Sequence, residues 1–313
     1  MVGMSDDIAF NKTFDLEPDT VRQLAPGVRA LVANNPGPFT FKGTMSYIIG
    51  RGKVAILDPG PDDDGHIAAL LDAVRNETVT HIFVTHTHRD HSPAAAKVKA
   101  ATGAKVYAQG PHRLARPLHI GETHRLDASA DMDFRPDVAL ADGEVVSGDG
   151  FTLEAVTTPG HTANHMAFAF KEADLLFAGD HVMGWSTTIV APPDGAMSDY
   201  MASLEKLAGR GEPLYLAGHG APVPEAPRYV QSLIRHRQGR EAALLHRLGK
   251  GAADIPTLVR AVYIGLDPRL AGAAGLSVMA HLEDLVARGV VATDGPPSLA
   301  GTYRLAELPL PAA

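Results

Sequence analysis

The chain of 313 residues contains no cysteine. That single absence removes disulfides, thiolate metal ligands and thiol nucleophiles together, and excludes a disulfide-stapled secreted scaffold. No run approaches the ~20 consecutive apolar residues that span a bilayer, so no membrane partner is expected. The opening residues, MVGMSDDIAF, lack a basic segment followed by an apolar one, and they are acidic where a transit peptide is arginine-rich. The compartment this implies is cytoplasmic. Positive charge is also short: 28 Lys and Arg stand against 36 Asp and Glu, a net −8. Such a balance argues against wholesale nucleic-acid wrapping but leaves room for a local basic groove. What remains is ordinary globular material, 45% hydrophobic and 20% charged, with length for roughly two domains. The excess is in histidine, with 15 residues.

The first two-thirds alternate short apolar runs with helical patterns, an α/β organisation. Strands are predicted over 44–49, 53–58, 80–85, 105–108, 152–157, 166–170, 175–178 and 214–217, and Gly50-Arg51-Gly52 marks a hairpin between the first two. Helical spacing runs over 65–76. Ser92-Pro93 reads as an N-cap followed by proline in the first turn of a second helix. After the proline-rich joint at 222–227 the pattern turns helical, and three helices precede two short strands at 290–293 and 302–305. Three helices and a hairpin form a winged-helix pattern. The expected division is 1–238 for a catalytic domain and 239–313 for the winged-helix-like domain.

The chemistry is concentrated at Thr85-His86-Thr87-His88-Arg89-Asp90-His91, between a buried strand and a helix start. Residues two apart on extended chain point the same way, so His86 and His88 can grip one ion. Asp90 and His91 lie where the chain turns and can address a second. Imidazoles with a carboxylate suit Zn²⁺, with Fe and Mn as alternatives. Three further strand ends repeat the design: Pro159-Gly160-His161, Gly179-Asp180 and Gly218-His219. Each puts a glycine beside one metal-type ligand.

In this combination the chain resembles the metallo-β-lactamase superfamily over roughly residues 25–225. The resemblance implies an αββα sandwich binding two Zn²⁺ ions per chain. His86, His88 and His161 would form the first site, Asp90, His91 and His219 the second, with Asp180 bridging. Asp58, in Leu57-Asp58-Pro59-Gly60, would brace the ligand loop as structural support. Without a cysteine ligand and with Asp180 as bridging acid, the pattern points to the hydrolase branches. Within them, His86-Thr87-His88-Arg89-Asp90-His91-Ser92, Pro159-Gly160-His161-Thr162 with His165, and Gly179-Asp180-His181-Val182-Met183-Gly184 are similar to the β-lactamase-like endoribonuclease group. The tail adds His236-Arg237, Arg240-Glu241 and Val278-Met279-Ala280-His281-Leu282.

A pair of ions ~3.5–4 Å apart would lower the pKa of a shared water towards ~7. Asp90 is a ligand on this resemblance, with a second role in holding the water's proton. His165 is either a support for the ligands or the acid that protonates a leaving group, whereas His181 is expected to pack away from the site. Trp185, Ser186 and Thr187 would touch substrate beside the metals. Residues 111–125 (PHRLARPLHIGETHR) are either a basic lid that draws in an anion or a solvated loop.

The expected partner is therefore single-stranded RNA or a small-molecule ester or thioester, with a homodimer as a further expectation. Charge bears on the choice, because from Arg240 onward seven basic residues meet seven acidic ones. A dedicated nucleic-acid reader would be basic. The alternatives are a glyoxalase II-like hydroxyacylglutathione hydrolase, an iron-dependent oxidoreductase or sulfur dioxygenase, and a non-catalytic winged-helix regulator stabilised by metal.

Overall fold

In a computed structural model, residues 8–119, 122 and 129–307 are described. Seven strands form the first sheet in chain order: β1 (Arg22–Ala25), β2 (Val28–Val32), β3 (Met45–Arg51), β4 (Lys53–Leu57), β5 (Thr78–Phe83), β6 (Lys105–Ala108) and β7 (Val138–Ala139). The second sheet holds β8 (Val145–Ser147), β9 (Thr152–Thr157), β10 (Met166–Phe170), β11 (Leu175–Gly179), β12 (Leu214–Ala217) and β13 (Val223–Pro224), in the reverse order β13 to β8. Helices α1 (Asp64–Ala73) and α2 (Ala94–Thr102) belong to the first half, and α3 (Met197–Ala208) and α4 (Ala226–Leu248) to the second.

Burial shows why these elements stack in four layers. Tyr47, Phe83 and Val32 of the first sheet meet Phe168, Phe177 and Leu153 of the second in one apolar cluster between the sheets. The opposite face of the first sheet, with Ile48, Ile56 and Ile82, packs on Leu70 and Val98 of α1 and α2. The outer face of the second, with Leu176 and Tyr215, packs on Tyr200, Leu204 and Leu233 of α3 and α4. Both faces of the central strands are covered, so they read as continuous apolar runs rather than alternating ones. The expected αββα sandwich is present.

The C-terminal unit adds α5 (Ile255–Val262), α6 (Ala271–Ala287) and a small sheet of β14 (Ala253–Asp254), β15 (Val291–Thr293) and β16 (Thr302–Leu305). Its own core joins Leu258, Val278, Leu282 and Tyr303. The expected division at 238/239 falls inside α4. That helix is continuous over 23 residues: Leu233 packs in the sandwich and Leu244 in the winged-helix core. Two other expectations are corrected. The first helix stops at Ala73 rather than running to 76, and Asp63 caps its start by accepting from the His66 amide at 2.8 Å. Ser92 does not cap α2, since its hydroxyl donates to Asp131 at 2.7 Å instead.

Candidate metal centre

Parallel pairing places the C-terminal ends of β4 and β5, and of β11 and β12, on one edge of the sandwich. Side chains just past those ends converge. Three groups close enough to hold an ion share members: His86, His88 and His161; His86, His91 and Asp180; Asp90, His91 and His219. The Nδ1 of His88 lies 3.1 Å from His86 Nε2 and 3.0 Å from His161 Nε2. In the other group, Asp90 Oδ2 lies 3.4 Å from His91 Nε2 and 3.2 Å from His219 Nε2. Asp180 stands between the groups, with Oδ2 3.7 Å from His161 Nε2 and 3.3 Å from His219 Nε2, and Oδ1 3.5 Å from His91 Nε2.

Gly218 makes the arrangement sterically possible, because a Cβ there would sit 2.2 Å from Asp180 Oδ1. Gly179, at φ +50°, lets the chain turn tightly into Asp180. The ligand nitrogens face inward because their partners hold the far side of each ring. His161 Nδ1 donates to the Ile189 carbonyl at 2.7 Å, and His219 Nδ1 to the Gly43 carbonyl at 3.0 Å. Asp58, 1% exposed, accepts from His91 Nδ1 at 2.9 Å and from the Thr85 amide and hydroxyl, both at 2.7 Å. The Thr85 hydroxyl in turn receives His86 Nδ1 at 3.0 Å. Asp58 thus fixes the tautomers of two histidines. Asp90 Oδ2 also accepts from the Thr44 hydroxyl at 2.9 Å.

Electrostatics distinguish the two halves. Burial, then the neighbouring His161, pushes His88 down to about 3. Burial and the adjacent His91 hold His86 well below the usual histidine range. These two rings stay neutral, with lone pairs available. Burial also opposes charge on His219, yet Asp180 and Asp90 outweigh it and push it up to about 10. Without a cation, protons on the histidines balance the two buried carboxylates. A divalent ion supplies the same charge, and Asp180 Oδ1 has no hydrogen-bond partner within the chain. The donor set therefore fits a metal, and buried imidazole with carboxylate suits zinc-like ions.

His165 lies behind the ligands, fully buried. Its Nδ1 pairs with the Thr158 hydroxyl at 2.8 Å, and its Nε2 accepts from the Asp180 amide at 3.2 Å. Both nitrogens are engaged away from the cleft. Of the two roles expected for it, the geometry corrects the leaving-group acid and fits the support. His181 packs on Tyr200, ring centroids 4.5 Å apart, as expected.

A cavity of 480 Å³ opens above the metal-binding residues. Its apolar lining is Phe39, Met183, Ile189, Ala191, Ala273 and Leu276, beside Thr40, Arg89 and Ser129. Ala273 and Leu276 come from α6, so the winged-helix unit completes the cleft. Sequence reading missed Phe39, Ala273 and Leu276 because apolar residues in a loop and on a core helix carry no chemical signal. Trp185, Ser186 and Thr187 line an adjoining cavity instead, and Trp185 stacks on Phe41 at 4.8 Å. Among the described residues of 111–125, Arg113 and Arg116 are both engaged within the chain. Arg116 pairs with Glu122 at 2.7 Å and with Glu283 of α6 at 2.6 Å, and Arg113 donates to the Ala163 carbonyl at 2.7 Å. Residues 120, 121 and 123–125 of that stretch lie outside the described residues.

These features define a metal-dependent hydrolase of the metallo-β-lactamase fold. The chain belongs to the metallo-beta-lactamase superfamily, whose pattern matches residues 39–219, and a beta-lactamase associated winged helix domain matches residues 255–296. It is 29% identical to the beta-lactamase-like protein 2 homolog of Caenorhabditis elegans, over 72% of each chain. To the atrochrysone carboxyl ACP thioesterase of Claviceps purpurea it is 28% identical, over 74% of this chain and 68% of that one. A lactamase-like protein of Neosartorya fischeri is 30% identical over 74% of this chain, and the match covers 65% of that protein. A crystal structure of a metallo-beta-lactamase family protein from Thermus thermophilus superposes with TM-score 0.72 at 26% identity, over 90% of this chain and 99% of the other.

Proposed function

We propose that the protein is a dinuclear zinc hydrolase of acyl thioesters. The observation that carries this reading is the cleft: a metal-binding floor under apolar walls from Phe39, Met183, Ile189 and Leu276. A buried apolar acyl chain gains free energy against such walls, whereas a polyanionic strand would lose hydration there without counter-charges. Among the described residues that line it, Arg89 is the one Lys or Arg. The likeness to an ACP thioesterase supports the same reading.

His86, His88 and His161 would hold one ion, and Asp90, His91 and His219 the other, with Asp180 shared. Bound there, zinc would lower the pKa of a water and polarise the substrate carbonyl. The chain's own residues do the positioning. Asp90, at the cleft edge with its Oδ2 tethered by Thr44, orients the attacking water and holds its proton. Water oxygen joins the acyl carbon, the C–S bond breaks, and the proton ends on the departing thiol. His165 keeps the Asp180 backbone in place.

Zinc per chain is measured by elemental analysis, and the same preparation is assayed on octanoyl thioesters and on single-stranded RNA. Two zinc per chain, with thioester turnover that vanishes in a His88→Ala, Asp180→Ala double variant, is the expected result. RNA cleavage without thioester turnover refutes the substrate class. One iron per chain with neither activity refutes the hydrolysis itself.

A further inference from the structure

We infer that the cavity beside the metal cleft is a subsite for a phosphoryl group, the one carried by an acyl-phosphopantetheine thioester; this rests on the thioester reading above. The cavity measures 270 Å³ and shares Phe39, Met183, Ile189 and Ala273 with the metal cleft, so one elongated substrate can occupy both. Its character differs from its neighbour's. Lys12, Arg237 and Arg240 line it together with His236, and no Asp or Glu does among the described residues.

Arg237 makes this a built site. It is 2% exposed on α4, its guanidinium donates to the Thr188 carbonyl and its carbon lies 5.1 Å from the Tyr200 ring centroid. Its Nε is buried without a hydrogen-bond partner in the chain. Among the described residues no carboxylate pairs with it. A buried cation without a counter-ion is costly, and an anion from outside supplies what the fold withholds. Arg240, one turn further along α4, stacks on Tyr263 at 4.6 Å and donates to the Val262 carbonyl. Guanidinium groups match phosphoryl oxygens in geometry as well as charge. An apolar cleft over the metals and a cationic pocket beside it suit a molecule with an acyl thioester at one end and a phosphate at the other. A polynucleotide would place charges at both.

Two substrates that differ only in the phosphate test this: octanoyl-4′-phosphopantetheine and octanoyl-pantetheine. The expected kcat/KM ratio for the zinc-loaded wild type is about tenfold or more in favour of the phosphorylated substrate, falling towards one in Arg237→Gln. The ratio separates this from a structural role, because Arg237 also steadies Thr188, whose hydroxyl donates to the Asp180 carbonyl at 2.6 Å. Disruption through that route lowers both substrates by the same factor and overturns the proposal, as does a wild-type ratio of one. If Arg237→Gln does not fold, the exposed Lys12→Glu locates the anion instead, with a lowered ratio expected and an unchanged one refuting the placement. If neither thioester is hydrolysed, the thioester reading fails. The subsite then stands on calorimetry alone: 4′-phosphopantetheine binding more tightly than pantetheine, and only with Arg237 present, supports it, and equal binding overturns it. RNA cleavage that depends on Arg237, with no discrimination between the thioesters, reassigns the pocket to a polynucleotide and refutes the proposal.

Discussion

Replacing Asp58 by asparagine changes one atom in a carboxylate that lines neither cavity, yet it is expected to weaken the proposed second metal site. The carboxylate accepts three hydrogen bonds, two from Thr85 and one from His91 Nδ1. An asparagine keeps one acceptor oxygen and gains a donor. If that oxygen serves the Thr85 amide, the new NH₂ faces His91 Nδ1, and two donors meet. The conflict is relieved only when the His91 proton moves to Nε2, the nitrogen that lies 3.4 Å from Asp90 and from His219. A protonated Nε2 cannot ligate. If the amide is turned over, the buried Thr85 N–H loses its partner instead. The first outcome costs on the order of 1.4–2.7 kcal/mol, a 10–100-fold loss in affinity for one ion, and the second costs folding stability instead. His86 is better protected, because the Thr85 hydroxyl still accepts from its Nδ1. Competition against a chromophoric chelator counts and ranks the zinc equivalents. The expected trace shows one equivalent near wild-type affinity and the other weakened 10–100-fold. Two equivalents of unchanged affinity would refute the tautomer argument.

Three further outcomes follow from the same geometry. Leu276→Ala removes part of the cleft wall and should lower kcat/KM for octanoyl thioesters by roughly tenfold, about 1.5 kcal/mol of apolar contact; an equal effect on an acetyl thioester would contradict an acyl contact. His281 is buried, and that burial, with Arg237, pushes it down to about 3 from an ordinary 6.5. The unfolded chain therefore binds the extra proton between those values, and stability is lost as pH falls below 6.5. The loss is about 1.4 kcal/mol per unit, or about 2 kcal/mol by pH 5, and urea titrations of His281→Leu should lack that part of the slope. Identical slopes in variant and wild type would sink it. Chelation of the metals should lower the melting temperature. At free zinc a thousand times Kd the stabilisation forgone is about 4 kcal/mol, and a melting point indifferent to chelator would rule out tight binding by the folded state.

The residues that cluster at the candidate metal centre were legible because ligation needs particular atoms. His86, His88, Asp90 and His91 announce themselves within six positions, and each remaining ligand follows a strand and a glycine. Apolar walls have no such signature. Leu276 and Ala273 look like any residues of a core helix, and their place above the metals is set by how α6 packs. The helix α3 was readable in principle, since Met197, Tyr200, Leu204 and Leu207 are buried at helical spacing. Strands β7 and β13 span two residues each and are defined only by pairing with a neighbour. The two roles open for His165 could not be separated before its ring was seen between Thr158 and the Asp180 amide. Arg116 shows the limit for charge patterns, because its own charge is paired by Glu283, 167 residues further on.

The winged-helix unit is built into the walls of the cleft rather than appended to the sandwich. Helix α4 runs unbroken through the boundary expected at 238/239, with Leu233 in one core and Leu244 in the other. Arg116, in the loop after β6, is clamped to Glu283 of α6. The same α6 presents Ala273 and Leu276 to the metal cleft, and α4 presents Arg237 and Arg240 to the cavity beside it. Truncation after Gly239 would therefore cut a helix in mid-course, delete the whole winged-helix core from Leu244 to Tyr303 and remove a cleft wall at once. Its loss of activity would not distinguish a reader of nucleic acid from a wall of the substrate site. Point substitutions do, because on the proposed reading Leu276 would act on the acyl end of a substrate and Arg237 on a phosphate. A nucleic-acid reader predicts a marked fall in binding affinity as salt rises, whereas an apolar acyl wall predicts dependence on chain length.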